Sequence, residues 1–167
     1  MDATAAVLKA RELLETVTPL HQNCGLLCGS ACCIASEAGE GMLLFPGEAA
    51  LYENLPEGFT LQPAPRMPGA WLLGCSSQCE RADRPLACRF FPLIPYIRKD
   101  NNNKSAGIMM DVRAWPVCPL MEGGLSGCSR EFARAAAQAA GVLCAVEEHR
   151  VFLTRLTQII DGYRQFS

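Results

Sequence analysis

The sequence lacks any long apolar run. No apolar run within its 167 residues approaches the roughly 18 consecutive apolar residues of a membrane span. Asp2, Lys9 and Arg11 stand near the N-terminus, where a signal peptide would need an apolar centre. We therefore expect a cytoplasmic protein that has no membrane partner.

A surplus of positive charge is also missing. The chain has 15 Lys and Arg residues against 17 Asp and Glu residues, which gives a formal net charge of −2. Nucleic-acid-binding domains usually present a basic surface. We therefore expect no nucleic-acid partner, and the sequence names no protein partner.

Signatures of common enzymes are absent as well. The sequence contains no His-Glu-x-x-His motif, no nucleophile elbow and no phosphate-binding glycine loop. It has no Cys-x-x-Cys unit of the kind that dithiol redox proteins use. No residue is predicted to be catalytic, and enzyme activity stays an open question.

What the chain does have is cysteine, ten residues in all, four of them between Asn23 and Cys33. Glycine and serine separate these four, so the segment has little side chain to bury. Two explanations compete, disulfides and a thiolate-bound metal. Disulfides rarely persist in a reducing cytoplasm, and about 6% cysteine is below the roughly 8–10% of disulfide scaffolds. We interpret the cysteines as metal ligands.

A second block of cysteines, Cys75, Cys79 and Cys88, is followed by Cys118. Zinc takes four ligands in a tetrahedron and is often bound by Cys-x2–4-Cys pairs, and iron–sulfur clusters also take four thiolates. The thiols suffice for two such sites, or for one site with spare thiols. Adjacent residues in an extended backbone project to opposite sides, so Cys32 and Cys33 are expected to differ in role.

The segment Arg84-Pro-Leu-Ala-Cys-Arg-Phe-Phe-Pro92, preceded by Gly74-Cys75 and by a Cys-Cys pair, resembles the YkgJ-like cysteine-cluster family. The resemblance spans about residues 24–119, although three residues replace the family's usual two between the first cysteines. Members are described as zinc- or iron-chelating domains, so the resemblance implies a chelating role. The cysteines that it implicates are Cys24, Cys28, Cys32, Cys33, Cys75, Cys79, Cys88 and Cys118.

The remaining cysteines and both histidines have simpler interpretations. Cys128 and Cys144 fall in helical sequence without a close partner, which is typical of a thiol buried as a small apolar side chain. His21 could complete a Cys3His site, but a surface position suits it better. His149 lies in a charged stretch and is expected to be exposed to solvent.

Arg84 and Arg89 flank Cys88 and allow two interpretations. They could offset the charge of the thiolates, because four thiolates on Zn²⁺ leave a net charge of −2. They could instead form ordinary ion pairs with Asp83 or Glu80. The sequence does not choose between these alternatives.

We predict an α+β fold, with a small irregular sheet and cysteine-rich loops around a metal site. An N-terminal helix and C-terminal helices flank this centre within one domain, 1–167. The metal-binding part is 21–119 and the C-terminal helical part is 126–166. The predicted elements are a helix at 3–18, a turn at 32–36, strands at 42–45, 59–62 and 70–73, a helix at 46–53, a hairpin of 92–98 with 108–115, and two helices that meet near 144–147 after a cap at Ser126 or Ser129.

The function expected from these features is metal binding through cysteine-ligated zinc, in a structural or accessory role. The alternative is an iron protein with a 4Fe-4S cluster and a redox or metalloenzyme activity. The sequence names no substrate for either.

Overall fold

The computed structural model describes residues 1–33, 37, 39–76, 79–100 and 103–165. Its α-helices are α1 (Ala3–Leu13), α2 (Gly25–Cys28), α3 (Leu86–Phe90), α4 (Arg130–Cys144) and α5 (Glu147–Arg164). Its strands are β1 (Met42–Leu43), β2 (Phe59–Pro63), β3 (Trp71–Cys75), β4 (Leu93–Asp100) and β5 (Asn103–Met110). The predicted α+β class, with small sheets between an N-terminal helix and C-terminal helices, is confirmed.

Helix α1 begins at a side-chain cap and buries a stripe of small residues. The Asp2 carboxylate accepts the N–H of Ala5 at 2.8 Å, which satisfies one of the donors that every helix start leaves unpaired. Ala6 and Ala10 are fully buried, and their small side chains allow α1 to approach α4 closely. The helix ends at Leu13, earlier than the predicted residue 18. Beyond this point the backbone carbonyl groups accept hydrogen bonds from an arginine side chain outside the helix.

The two C-terminal helices meet where their sequence periodicity predicts. Ser129, one of the two predicted caps, accepts the N–H of Phe132 at 3.2 Å and starts α4. The buried faces of α4 and α5 carry apolar residues at helical spacing, among them Phe132, Leu143 and Leu153. No helix in the described ranges is long and apolar enough to cross a membrane.

Strands β4 and β5 form the predicted antiparallel hairpin, with Leu93 opposite Met110 and Asp100 opposite Asn103. The second strand ends at Met110 instead of residue 115. The Asp111 carboxylate accepts the N–H of Arg113 at 3.0 Å, which turns the chain into a short 3₁₀ helix. The hairpin packs on α4 and α5.

A three-stranded antiparallel sheet, in the order β1-β3-β2, lies apart from this hairpin. The predicted strands at 59–62 and 70–73 are confirmed, and β2 is at the edge, as expected. Strand β1 is shorter than predicted. The predicted helix at 46–53 is a 3₁₀ turn, Glu48–Tyr52. Strand β3 ends at Cys75, so this sheet delivers a cysteine to the loop that follows.

The carboxylate of Glu48 is fully buried and joins three parts of the chain. Its Oε2 accepts the N–H of Phe45 at 3.0 Å, and its Oε1 accepts the N–H of Leu86 at 2.6 Å. The Arg11 guanidinium contacts Oε1 at 3.3 Å. Burial raises the pKa of Glu48, while these donors oppose the rise because they favour the charged form. The carboxylate therefore ties α1, the 48–52 turn and the start of α3 together.

Replacing Glu48 with glutamine should destabilise the fold, because the new amide N–H groups face backbone donors. A buried donor that loses its acceptor costs about 1–3 kcal/mol. With the loss of the Arg11 pair, we expect the free energy of unfolding in urea to fall by about 2–4 kcal/mol. Glu53→Gln, at an exposed position just after the same turn, is the control and should change it by less than about 0.5 kcal/mol. Equal losses in both variants would contradict this role.

His149 is fully buried, so the prediction that it is exposed to solvent is wrong. Its Nε2–H donates to the carbonyl oxygen of Ala3 at 3.0 Å, and its ring lies 6.3 Å from the ring of Phe45. Among the described residues, its buried Nδ1 has no hydrogen-bond partner. Burial lowers the pKa of His149, because a second proton would place an unpaired N–H in the core. The charged residues next to His149 in the sequence suggested an exposed position. The helical period directs those residues outward and His149 into the core.

The buried histidine makes the fold sensitive to acid. The unfolded histidine takes up a proton near pH 6.5, whereas the folded ring takes it up only at lower pH. Stability from this residue is therefore present above pH 6.5 and is lost as the pH falls from there toward the lowered pKa. His149→Gln keeps an N–H donor for Ala3 and cannot titrate. We expect its unfolding free energy to fall less steeply with acid than that of the wild type, and parallel pH profiles would overturn the assignment.

Candidate metal centre

The first two cysteines lie on a single helical turn. Helix α2 begins just after Cys24 and ends at Cys28, so the two residues are four apart and share one side. The Cys28 thiol approaches the carbonyl oxygen of Cys24 at 3.9 Å. Gly29 and Ser30 then have positive φ values of 62° and 57°. These left-handed residues end the helix and reverse the chain toward the next cysteines.

Cys32 and Cys33 do not behave as neighbours in an extended strand. The N–H of Cys33 donates to the carbonyl oxygen of Ser30 at 2.8 Å, which closes a turn, and burial followed by the charge of Cys33 raises the pKa of the Cys32 thiol. The backbone here is not extended as the sequence argument assumed, and the expectation that the two cysteines differ in role stays a prediction. The predicted turn at 32–36 lies partly outside the described residues, which stop at 33 and include 37.

The second block comes from two different elements. Cys75 is the last residue of β3, Cys79 precedes the 3₁₀ turn Arg81–Asp83, and Cys88 is the middle residue of α3. Burial raises the pKa of Cys88, and the charges of neighbouring thiols raise it further. Burial also raises the pKa of Cys79. Both thiols are thus protonated at neutral pH in the protein without metal.

Cys118, which is distant in sequence, lies beside the first block. Its charge acts on Cys24, and the charge of Cys28 acts on it. Burial raises the pKa of Cys24 and Cys118; the charges of Cys28 and Cys118 raise that of Cys24 further, and the charge of Cys28 raises that of Cys118. We call Cys24, Cys28 and Cys118 the first thiol group.

Cys33, at the end of the first block, interacts electrostatically with the second block. Its charge acts on both Cys79 and Cys88, and that of Cys75 does the same. We call Cys33, Cys75, Cys79 and Cys88 the second thiol group. Cys32 as a whole residue is exposed, and its charge interacts with cysteines of both groups. Its thiol is nevertheless partly shielded from solvent, and this burial together with the charge of Cys33 raises its pKa to about 12.

The thiols gather without adopting the arrangement of a bound ion. In the part of the chain that the structure describes, no three His, Cys, Asp or Glu side chains stand ready to hold a metal ion. The donor chemistry nevertheless fits a thiolate-preferring metal, because each group brings several sulfurs within reach of one another's charge. Small shifts of the loops, together with loss of the thiol protons, are what ligation would require.

Arg89 serves the framework instead of the thiols. Its guanidinium is buried and pairs with the carboxylate of Glu15, which keeps the pKa of Glu15 below its usual value. The remaining N–H groups donate to carbonyl oxygens of the 81–84 turn and of α1. Neither Asp83 nor Glu80 is its partner, so the ion-pair interpretation named the wrong carboxylates, and the charge-offset interpretation does not apply to this residue.

Arg81 caps the C-terminal end of α1. Its Nη2 donates to the carbonyl oxygens of Leu14 and Val17 at 2.7 Å each, and its Nε donates to the carbonyl oxygen of Glu15. A cation at this end also meets the negative end of the helix dipole. This arginine explains where the chain leaves α1, and its role carries no signal in the local sequence.

Arg84 does face the thiols. Its charge acts on Cys79, and on Cys24 as well. Its Nε is buried, with no hydrogen-bond partner among the described residues. Arg84 opposes the rise in the pKa of both cysteines, because a nearby positive charge favours the thiolate. The charge-offset interpretation therefore suits this arginine.

Cys128 is the residue that the sequence did not implicate. It is buried, as expected for a small apolar side chain, but it also lies close enough to Cys118 and Cys24 for their charges to raise its pKa further. No spacing rule marks a cysteine ten residues beyond Cys118. His21 is exposed, in agreement with a surface position, and Cys144 packs at the edge of the apolar core.

A cavity of about 490 Å³ opens beside Cys79. Its wall carries the carboxylates of Glu57, Glu80 and Asp83 together with Ser76. Carboxylates around an opening attract cations from solution. Cys79 is therefore a member of the second thiol group that borders a negatively charged opening.

No family model matches this chain, and no curated protein or solved structure matches it. The resemblance to the YkgJ-like cysteine-cluster family therefore stays a prediction, carried by the cysteine spacing and the segment from Arg84 to Pro92.

The two arginines around Cys88 should respond differently to substitution. Arg89→Lys would remove most of the N–H donors with which this buried side chain joins Glu15, the 81–84 turn and α1. We expect it to lower the unfolding free energy by about 2–4 kcal/mol. Arg84→Gln should leave stability nearly unchanged but slow alkylation of Cys79 at a given pH, because the thiolate loses its positive neighbour. Alkylation followed by mass spectrometry measures this rate, and an unchanged rate would remove Arg84 from the site.

Proposed function

We propose that this protein binds metal through cysteine thiolates, with zinc as the metal and a structural or accessory role. The observation that supports the proposal is the electrostatic interaction between thiols from distant parts of the sequence. Cys118 interacts in this way with Cys24 and Cys28, and Cys33 interacts with Cys88. Apolar packing alone gives no reason for thiols to gather in this way.

The chemistry of the surroundings suits a thiolate site. Bound zinc would supply positive charge that stabilises the thiolates and cross-links the loops that carry them. Arg84, within reach of Cys79 and Cys24, offsets part of the negative charge that four thiolates leave on Zn²⁺. The carboxylate-lined opening beside Cys79 offers cations a route. A reducing cytoplasm is the compartment that suits the proposal, because it keeps the thiols available.

A structural role follows from where the cysteines lie. The segments 24–33 and 75–88 have little regular structure, so few ladder hydrogen bonds hold them. A metal that joins sulfurs from both segments would supply the missing constraint. The α1, α4 and α5 framework has its own apolar core and does not depend on this constraint.

Metal content of protein purified without oxygen tests the proposal. We expect colourless protein with about one to two zinc ions per chain, and the same content in Cys144→Ala, which changes a thiol outside both groups. Cys88→Ala should lose zinc. Brown protein with iron and acid-labile sulfide would favour the iron–sulfur alternative. Metal-free protein whose thiols react only after reduction would contradict both and favour disulfides.

Removal of the metal should loosen one part of the chain first. With a strong chelator, we expect faster amide hydrogen exchange in 24–33 and 75–88, while α4 and α5 keep their protection, because their stability comes from apolar packing. Mass spectrometry of peptides from the exchanged protein measures both regions at once. Uniform loss of protection would mean that the metal supports the whole fold, and no change would deny it a structural role.

A further inference from the structure

A groove of about 520 Å³ lies between α5 and the turn that joins β2 to β3. Its floor is apolar, since Phe45, Met67 and Phe152 are buried there, and the rings of Phe45 and Phe152 lie 5.2 Å apart. The Arg66 guanidinium donates to the Tyr163 hydroxyl at 2.8 Å, which fastens the turn to the C-terminal part of α5. Both walls of the groove are therefore fixed by the fold.

The rim of this groove exposes large apolar side chains to solvent. Trp71 is 41% exposed and Val151 is 45% exposed, and both line the groove. The backbone of Trp71 is held in place, because it belongs to β3 and its carbonyl oxygen accepts the N–H of Leu44 at 2.9 Å. Tryptophan is enriched in protein interfaces. A fixed, half-exposed indole on a groove rim is what such an interface uses as an anchor.

Two charged residues of α5, Glu148 and Arg155, line the same groove and are exposed. Seven residues make nearly two helical turns, so the two side chains lie in line on one face, about 10 Å apart along the helix. At this separation they cannot pair with each other. Within the described parts of the chain neither forms an ion pair, whereas Glu147 and Arg150 pair within the same helix.

We propose that the groove and the adjoining face of α5 form a dimer interface with a second copy of the chain. A two-fold axis between Val151 and Phe152 sets the two α5 helices antiparallel. Glu148 of each copy then faces the partner's Arg155, because the two residues lie equally far on either side of that axis. This is the self-complementary arrangement that an isologous interface requires. Val151 lies at the axis, and each Trp71 is covered.

A second copy suits this surface better than an acidic or a basic partner does. A partner of one charge would pair with either Glu148 or Arg155 and repel the other, whereas a second copy pairs with both. The same contact removes the exposed apolar rim from water. Among the residues that the structure describes, no cysteine lines the groove, so the dimer does not depend on the proposed metal binding.

Charge reversal tests the interface by sedimentation, in a thiol reductant so that disulfides between chains do not contribute. We expect the wild type to dimerise as its concentration rises, and less readily at high salt. Glu148→Arg and Arg155→Glu should each weaken dimerisation by about tenfold or more, because like charges then face each other. Glu131→Arg and Arg134→Glu change the net charge equally at exposed positions of α4 and should leave it unchanged.

Mixing the two reversed variants gives the sharpest result. In a mixed dimer the two arginines of Glu148→Arg face the two glutamates of Arg155→Glu, so dimerisation should return. A mixture that stays monomeric would overturn the proposal, as would dimers that survive both single reversals. A wild type that is monomeric at every concentration would also overturn it and would leave the groove to a ligand or to another protein.

The fluorescence of Trp71 is a second readout on an unaltered groove. In Trp115→Phe it is the one tryptophan of the chain. We expect its emission to move to shorter wavelength, and its quenching by acrylamide to fall, as the dimer forms. A dimer that leaves both unchanged would place the interface elsewhere. Zinc content measured on the same samples should not vary, which separates failure of this proposal from failure of the proposed function.

Discussion

Two arginines donate to carbonyl groups at the C-terminal end of α1, and one of them, Arg89, is buried. Arg81 binds the carbonyl oxygens of Leu14 and Val17, and Arg89 reaches that of Arg11. Both arginines belong to the second cysteine segment. The C-terminal end of α1 and the irregular loop of the second cysteine segment therefore depend on each other. Hydrogen bonds to backbone groups of α1 help to fix where the cysteines of that loop lie.

This arrangement divides the cysteines by how firmly they are held. Cys88 lies in α3. The buried carboxylate of Glu48 binds the start of this helix, and the buried guanidinium of Arg89, also in α3, donates hydrogen bonds from all three of its nitrogen atoms. Cys24 and Cys28 lie instead on one helical turn that a left-handed pair of residues ends. A bound metal would thus have some ligands that are held rigidly and others that can move. This suits a site whose ligands must close around an ion.

Local sequence was sufficient where periodicity dominates. The boundary between α4 and α5 and the hairpin of β4 with β5 were predictable because apolar spacing and turn residues act over a few positions. Contacts between distant residues were not predictable. Arg89 pairs with Glu15 across 74 positions, His149 is buried on a helix face that its charged neighbours conceal, and Ser129 binds the chain at Pro19.

The bond between His149 and Ala3 spans 146 positions and bears on how the protein is made. Helix α1 leaves the ribosome before α4 and α5, yet it packs against α4 and its Ala3 carbonyl accepts a hydrogen bond from a histidine of α5. Until those helices emerge, α1 lacks a main packing partner, and the cysteines between are already outside. The nascent chain therefore presents its thiols to metal and oxidant before its framework can close.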